Sequence, residues 1–424
     1  MGALAMVGES GAWARVSGWQ AMGLCLAAVG LQGLSGLGGL LGVALFAPIV
    51  FALVRLRRHA PGAVSTPGMV GAVLGARTAA VAAIVQITAY VALTVTAAQA
   101  IVIPWLRIDS SPDPMGGAVF DKSQWTLMAL VVIVVAAVMV FGLPTLVTAT
   151  MVAIIAVVGL LTYFYFSLAI VTTYLSAGVS MSEPRYDPAP ATGLQATAAL
   201  IVLAAGMTGF EVVTTRRRRG GASAWPMGGA LVVVGACAGL GSWAAQLGPG
   251  GFGPFDEPFL WQAAEELYGS TGTALLNSAA IMLATAGMLA MLWGIRNLTE
   301  QTGTTWSPRL VQAGVLAATV ALAVIVTQLQ WQFGHVGSLL LIALYAIVFI
   351  ASARVPGDSL TIWWLRIVLP VVLVAVVTIP LADSAFSMSS LIPVAITAAV
   401  LLVAAIAAAV GIPAKRTRVE TARS

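Results

Sequence analysis

The chain has 424 residues, of which 60% are apolar and only 8% charged, with a formal net charge of +5. Soluble domains carry roughly 25% charged residues, so this composition cannot cover a water-facing surface and excludes a soluble enzyme or binding module. The pI near 9.6 does not indicate nucleic acid, because the basic residues are segregated along the chain and form no face of a soluble domain.

About 20 apolar residues span a bilayer, and runs of that length recur from end to end. They predict one all-α polytopic membrane domain over residues 1–424, with about 12 transmembrane helices. Predicted helix 1 lies within 2–29 and helix 2 within 33–56. Helices 3, 4 and 5 fall near 77–104, 124–142 and 144–169, and helices 6, 7 and 8 near 194–215, 227–247 and 270–295. Helices 9 to 12 fall near 309–329, 335–353, 361–382 and 390–411, ahead of a tail over 412–424. No cleavable leader is legible, so helix 1 is expected to initiate insertion.

Charge tests this order. Alternating the helices from an inside N-terminus places Arg55, Arg57, Arg58, Arg77, Arg216, Arg217, Arg218, Arg219, Arg296, Arg309, Arg354, Arg366, Lys415, Arg416, Arg418 and Arg423 on one side. Only Arg107, Lys122 and Arg185 fall on the other, together with Asp109, Asp113, Asp121, Glu183, Asp187, Asp256, Glu257, Glu265, Glu266 and Asp383. Lys and Arg are retained on the cytoplasmic side, which predicts a multi-pass protein of the cell membrane with both termini cytoplasmic. The longest outer segment, 248–268, ends in Trp261, Glu265, Glu266 and Tyr268. It reads as a short interfacial helix anchored by Trp and Tyr, or as an outer lid.

Motifs for soluble chemistry are missing. There is no Walker loop, nucleophile elbow or His-Glu-x-x-His, and His59, His335, Cys25 and Cys237 form no metal-ligand spacing. No metal, cofactor or enzyme activity is expected. Charges at membrane depth are functional candidates by default, and three stand out: Glu9, Arg15 and Glu211. Glu9 pairs either with Arg15 or with a solute ammonium group. Glu211 is either a gate or proton-coupling site or a snorkelling partner of Arg216, Arg217, Arg218 and Arg219. Phe210 and Trp19 read as packing residues or as solute lids.

Two glycine clusters interrupt predicted helices: Gly8-Glu9-Ser10-Gly11 in helix 1 and Gly206-Met207-Thr208-Gly209 in helix 6. Interrupted helices in corresponding positions of two halves mark the binding site of inverted-repeat transporters, where half-helix ends hold solute charges. Five plus five plus two helices fit this pattern, with repeats near 1–175 and 190–353 and two extra helices near 361–411. The helix 1 break lies at 8–11 or further on, within 30–39.

The stretch Ala204-Ala205-Gly206-Met207-Thr208-Gly209-Phe210-Glu211, followed by the arginine run, resembles the sixth helix of the amino acid–polyamine–organocation (APC) superfamily. His59-Ala60-Pro61-Gly62-Ala63 with Leu74-Gly75-Ala76-Arg77 resembles that family's signature after helix 2. Trp293-Gly294-Ile295-Arg296-Asn297 through Trp306-Ser307-Pro308 resembles its helix 8–9 loop, and Gly8 to Gly11 its helix 1 break. Three features depart from it: Ala63 replaces a glycine, Thr214 and Thr215 replace acids, and helix 5 carries no basic residue.

The resemblance implies a LeuT-type 5+5 inverted repeat and a secondary active permease for amino acids, amines or related solutes. Alternating access would be coupled to H+ or Na+. Its implied site comprises Gly8, Glu9, Ser10, Gly11, Gly206, Thr208, Gly209 and Phe210, with Glu9 and Glu211 as gate or proton-coupling residues. Two alternatives are a transport-inactive sensor or scaffold and an exporter of hydrophobic compounds.

Overall fold

The described residues of a computed structural model are 16–31, 34, 37–109, 122–177, 206–215, 224–247, 258–301, 307–329, 334–356 and 391–410. They form α1 (Gly18–Gly30), α2 (Leu37–His59), α3 (Thr66–Leu74), α4 (Ala76–Asp109), α5 (Lys122–Gly142) and α6 (Thr145–Ser176). A 3-10 segment, η1 (Phe210–Thr215), precedes α7 (Trp225–Leu247), α8 (Pro258–Gln301), α9 (Pro308–Leu329), α10 (Gly334–Arg354) and α11 (Leu391–Val410). Among the described residues, seven helices are long and apolar enough to cross a membrane. A lipid interior leaves no water for backbone N–H and C=O groups, so each span satisfies them within itself.

Local chemistry sets the boundaries. Ser17 opens α1 with a capping box, its hydroxyl receiving the Gln20 amide while the Gln20 side chain receives the Ser17 amide. Ser65 caps α3, with Pro67 in the first turn where a missing N–H costs nothing. Pro144 starts α6 directly after α5 and makes a tight corner. Within α8, Gly269 adopts φ 60°, ψ −151°. That backbone is open to glycine alone, so the first turns of α8 fold back: Ala264 O lies 2.4 Å from where a Cβ on Gly272 would sit.

Two helices organise the bundle. α4 and α8 pack along each other; α6 and α1 join α8, and α10 and α3 join α4. Association between helices in lipid rests on close packing of small residues. The α1–α6 seam shows this, since a Cβ on Gly23 would sit 2.2 Å from Ala153 Cβ. Leu127, Val131, Val134, Val135 and Val138 of α5 are exposed and form a lipid-facing surface.

The two ends of the bundle differ in charge. At the basic end, Arg55 donates to Val355 O at 2.6 Å, and Arg296 donates to Val140 O (2.6 Å) and Leu143 O (2.7 Å) at the α5–α6 corner. At the acidic end, Tyr174 donates to Glu266 at 2.7 Å, and the hydroxyls of Thr173 and Tyr268 lie 3.0 Å apart.

Predicted helices 2, 3, 4, 5, 7, 8, 9, 10 and 12 each coincide with an observed helix, while helix 11 and most of helix 6 lie outside the described residues. Two expectations are corrected. The loop after helix 2 contains α3, formed because Ser65 and Pro67 supply a start signal. Predicted helix 8 runs on past 295, so that Arg296 and Asn297, matched to the helix 8–9 loop, lie within α8. The short helix expected before Tyr268 is present: the non-helical Gly269 separates it from the long part of α8, and its Trp261 donates to Asn277 at 2.7 Å.

Candidate functional site

Residues 206–209 are not helical, although they sit in a predicted span. Gly209 has φ +103°, a conformation that costs an L-residue roughly 1–2 kcal/mol. The chain resumes as the tight η1 turn, where Val212 N–H reaches Gly209 O at 3.1 Å. Thr214 and Thr215 return their hydroxyls to Glu211 O and Val212 O at 2.6 and 2.8 Å. A six-residue 3-10 run is long for its type, and these local side-chain bonds help hold it.

The break frees backbone groups that side chains then take up. Gly209 N–H donates to the Tyr345 hydroxyl at 2.9 Å. The Cys25 thiol of α1 donates to Phe210 O at 3.2 Å. Thr208 donates to Ser338 at 3.5 Å. Tyr345 and Ser338 come from α10 and Cys25 from α1, so the break is tied into the bundle from two helices.

Below Gly209, towards the basic end, lies Glu211, 0% exposed. Tyr90 of α4 donates to its Oε1 at 2.9 Å, and Tyr345 donates to its Oε2. Gln86, one turn along α4, donates Nε2–H to the Tyr90 hydroxyl at 2.8 Å. The hydrogen bonds thus converge on the carboxylate from both sides, Gln86 to Tyr90 to Glu211 and Gly209 to Tyr345 to Glu211. Gly294 of α8 makes the slot for Tyr90, whose Cε2 lies 2.6 Å from where a Cβ would stand. Phe210 stacks on Tyr345 with ring centres 5.3 Å apart, and Phe46 meets both rings.

α1 begins at the basic end, where Gln20 donates to Thr150 at 2.8 Å. It stops at Gly30, beside Leu283 in the middle of α8. Ala28 Cβ lies 3.3 Å from where a Cβ on Gly209 would be. The end of one half-helix therefore abuts the break in the sixth span. This arrangement supports placing the first break within 30–39. Gly8, Glu9, Ser10 and Gly11, like Arg15 and the four arginines after Thr215, lie outside the described residues.

Of the residues singled out in sequence, Gly206, Thr208, Gly209, Phe210 and Glu211 come together. Glu211 is buried and its carboxylate accepts from the two tyrosines, while its expected partners Arg216, Arg217, Arg218 and Arg219 lie outside the described residues. Gly209 is closely packed: a Cβ there would meet Met291 Cε at 3.1 Å and Ala28 Cβ at 3.3 Å. Tyr90, Tyr345, Gln86 and Ser338 were missed; a lone Tyr or Gln in an apolar helix was the available signal. Among the described residues, no group of three or more His, Cys, Asp or Glu could hold a metal ion.

No family model matches the chain and no curated protein matches it by sequence. Its fold does match solved structures. The crystal structure of MhsT in complex with L-phenylalanine superposes with a TM-score of 0.54 at 15% identity, over 85% of this chain and 98% of that one. The Eremococcus coleocola manganese transporter, in complex with an aromatic bis-isothiourea substituted compound, superposes with a TM-score of 0.54 at 11% identity, over 93% and 94%. The chain is thus an all-helical, multi-pass membrane protein of the LeuT-type fold.

Proposed function

We propose that this protein is a secondary active transporter of a small organic solute, working by alternating access. The observation that carries the reading is that the end of α1 meets a break: Ala28, two residues before α1 stops at Gly30, packs on Gly209 in the non-helical stretch 206–209. A continuous helix presents no free backbone groups at membrane depth; a broken one does, with half-helix dipoles that complement a carboxylate or an ammonium group. The likeness in fold to two transporters supports the same reading.

Residues 206–210 with the end of α1 form the proposed solute site. Glu211, Tyr90 and Tyr345 form a closed constriction on its basic side, and the positive-inside rule makes that side cytoplasmic. Glu211 is the proposed proton-coupling group, because both of its oxygens face hydroxyls that can give or accept a proton's hydrogen bond. Amino acids and amines are the proposed substrate class, resting on the APC resemblance of residues 204–211.

Purified protein in proteoliposomes, tested for uptake of labelled amino acids and amines with and without a proton gradient, tests the reading. Gradient-dependent accumulation of one solute is expected. No uptake and no thermal stabilisation by any member of the panel would favour a transport-inactive sensor.

A further inference from the structure

We propose that Gln86 is a positioning residue whose side-chain amide turns over when Glu211 takes up a proton, and that this turn makes the buried acid able to exist in both states. The inference rests on reading Glu211 as the proton-coupling group.

The argument is a count of donors and acceptors. In the arrangement present, both Glu211 oxygens accept hydroxyl protons, which suits the ionised carboxylate. A proton arriving from water adds to one of these oxygens and makes it a donor, so the tyrosine facing it must become the acceptor and send its own O–H elsewhere. Tyr345 cannot do this, because its other partner is Gly209 N–H, which only donates. Tyr90 can. Its other partner is the Gln86 amide, which holds a donor and an acceptor on one pivot.

Gln86 is 0% exposed, and its Oε1 has no hydrogen-bond partner among the described residues. Half a turn of the amide brings that orphaned oxygen to the Tyr90 hydroxyl. The protonated chain then runs Glu211 Oε1–H to Tyr90 Oη and Tyr90 Oη–H to Gln86 Oε1. One proton is gained, the bond from Gln86 Nε2–H to Tyr90 Oη is exchanged for the one from Tyr90 Oη–H to Gln86 Oε1, the number of hydrogen bonds is unchanged, and one Gln86 atom is unpartnered in each state. Tyr345 keeps donating to Oε2 throughout, so the link to Gly209 survives protonation.

Among the described residues the surroundings offer no substitute. The titratable groups facing Glu211 are Tyr90 on α4, Tyr345 on α10 and, from α1, Cys25, whose thiol is committed to Phe210 O. α3 carries none, and the titratable side chain of α7 is Cys237. On α8, Glu265, Glu266 and Tyr268 lie at the acidic end, while Arg296 bonds Glu300 and the carbonyls of the α5–α6 corner. On α2, Arg55, Arg57, Arg58 and His59 sit in its last two turns.

Infrared titration of the purified full-length protein tests the proposal, with the Glu211 carboxyl band assigned by its loss in Glu211→Gln. Gln86→Met keeps the length and removes both polar atoms. On the proposal the Gln86 carbonyl has no partner while Glu211 is ionised and accepts the Tyr90 O–H once Glu211 is protonated. The Gln86 side-chain amide band, assigned by its loss in Gln86→Met, should therefore move to lower wavenumber as the carboxyl band rises, with the same midpoint. Gln86→Asn, which holds its amide out of reach, should leave an amide band that does not move with pH, and it assigns the band if the Met variant does not fold.

In a Tyr90→Phe background the Gln86 amide band should stay fixed while the carboxyl band titrates. An amide band that does not move with the carboxyl band, an equal movement in the Tyr90→Phe background, or a wild-type carboxyl band that does not titrate between about pH 4 and pH 10 would overturn the proposal. Absence of solute uptake alongside the expected band shift would instead sink the transporter reading and leave Gln86 in its role.

Discussion

Gly209 and Glu211 meet on one oxygen. The Tyr345 hydroxyl accepts the Gly209 amide at 2.9 Å and donates to the Glu211 carboxylate. A backbone break and a buried acid, two residues apart in sequence, are thereby held by a single side chain from α10. Any motion that draws α10 away from η1 releases both at once.

The first prediction follows from that sharing. Tyr345→Phe leaves the Gly209 N–H and one carboxylate oxygen without a partner, a cost of roughly 1–3 kcal/mol carried by the closed state. Opening of the break should become more frequent. Cys25, whose thiol caps Phe210 O in the same cluster, reports it. In a Cys237→Ser background, alkylation of Cys25 should accelerate about tenfold, and an unchanged rate would mean that Tyr345 does not hold the break shut.

A second prediction concerns Glu211. Glu211→Gln fixes a neutral group that cannot take up a proton, and its NH2 must face a hydroxyl that already receives an N–H. Solute uptake by the variant should lose its dependence on pH, whatever rate remains. Uptake that still rises with acidity would place the coupling proton elsewhere.

Much of the architecture was legible because apolar runs of membrane length and the split of arginines from acids are properties of composition along the chain. The break at 206–209 was legible too, since two glycines three apart in an apolar span have few other readings. The partners of Glu211 were not. Tyr90 and Tyr345 lie 121 and 134 residues away, and nothing in an apolar helix announces which of its faces meets η1. Sequence adjacency favoured the arginines just beyond Thr215, and packing brings tyrosines to the acid. α3 and the last turns of α8 were read as loop because a family signature stood there, although Ser65 and Pro67 carried an ordinary helix start.

Arg296 supplies the third prediction. Its guanidinium joins Glu300 at 3.1 Å and, through Nη1, the carbonyls of Val140 and Leu143. Val140 lies in the last turn of α5 and Leu143 follows it before the Pro144 corner, where carbonyls lack helical partners. Arg296→Ala should destabilise the protein by about 2 kcal/mol, the scale of hydrogen bonds to a charged donor. Arg296→Lys should recover part of this, because an ammonium group reaches one carbonyl without the planar fork. Thermal unfolding in detergent measures both, and equal losses would show that the fork geometry is irrelevant.

The fourth prediction concerns the proposed orientation. A cysteine at Ser111 should react with an impermeant thiol reagent in intact cells, and one at Ser223 should not. Reversed labelling would put the basic end outside, and Glu211 on the outer side of the solute site.

The last prediction separates backbone conformation from bulk at the break. Gly209 has φ +103°, and a methyl group there would sit 3.1 Å from Met291 Cε and 3.3 Å from Ala28 Cβ. The steric part is small, since Met291 ends in a flexible thioether that can withdraw. The conformational part is not, because an L-residue at that φ costs about 1–2 kcal/mol wherever it is packed. Gly209→Ala should therefore lower stability by that amount, and Met291→Ala should not rescue it. Where the solute binds through the Gly209 region, the variant should also lose uptake, because the strain is relieved by shifting the amide away from Tyr345. A full rescue by Met291→Ala would show that crowding, and not the left-handed backbone, makes glycine necessary at this position.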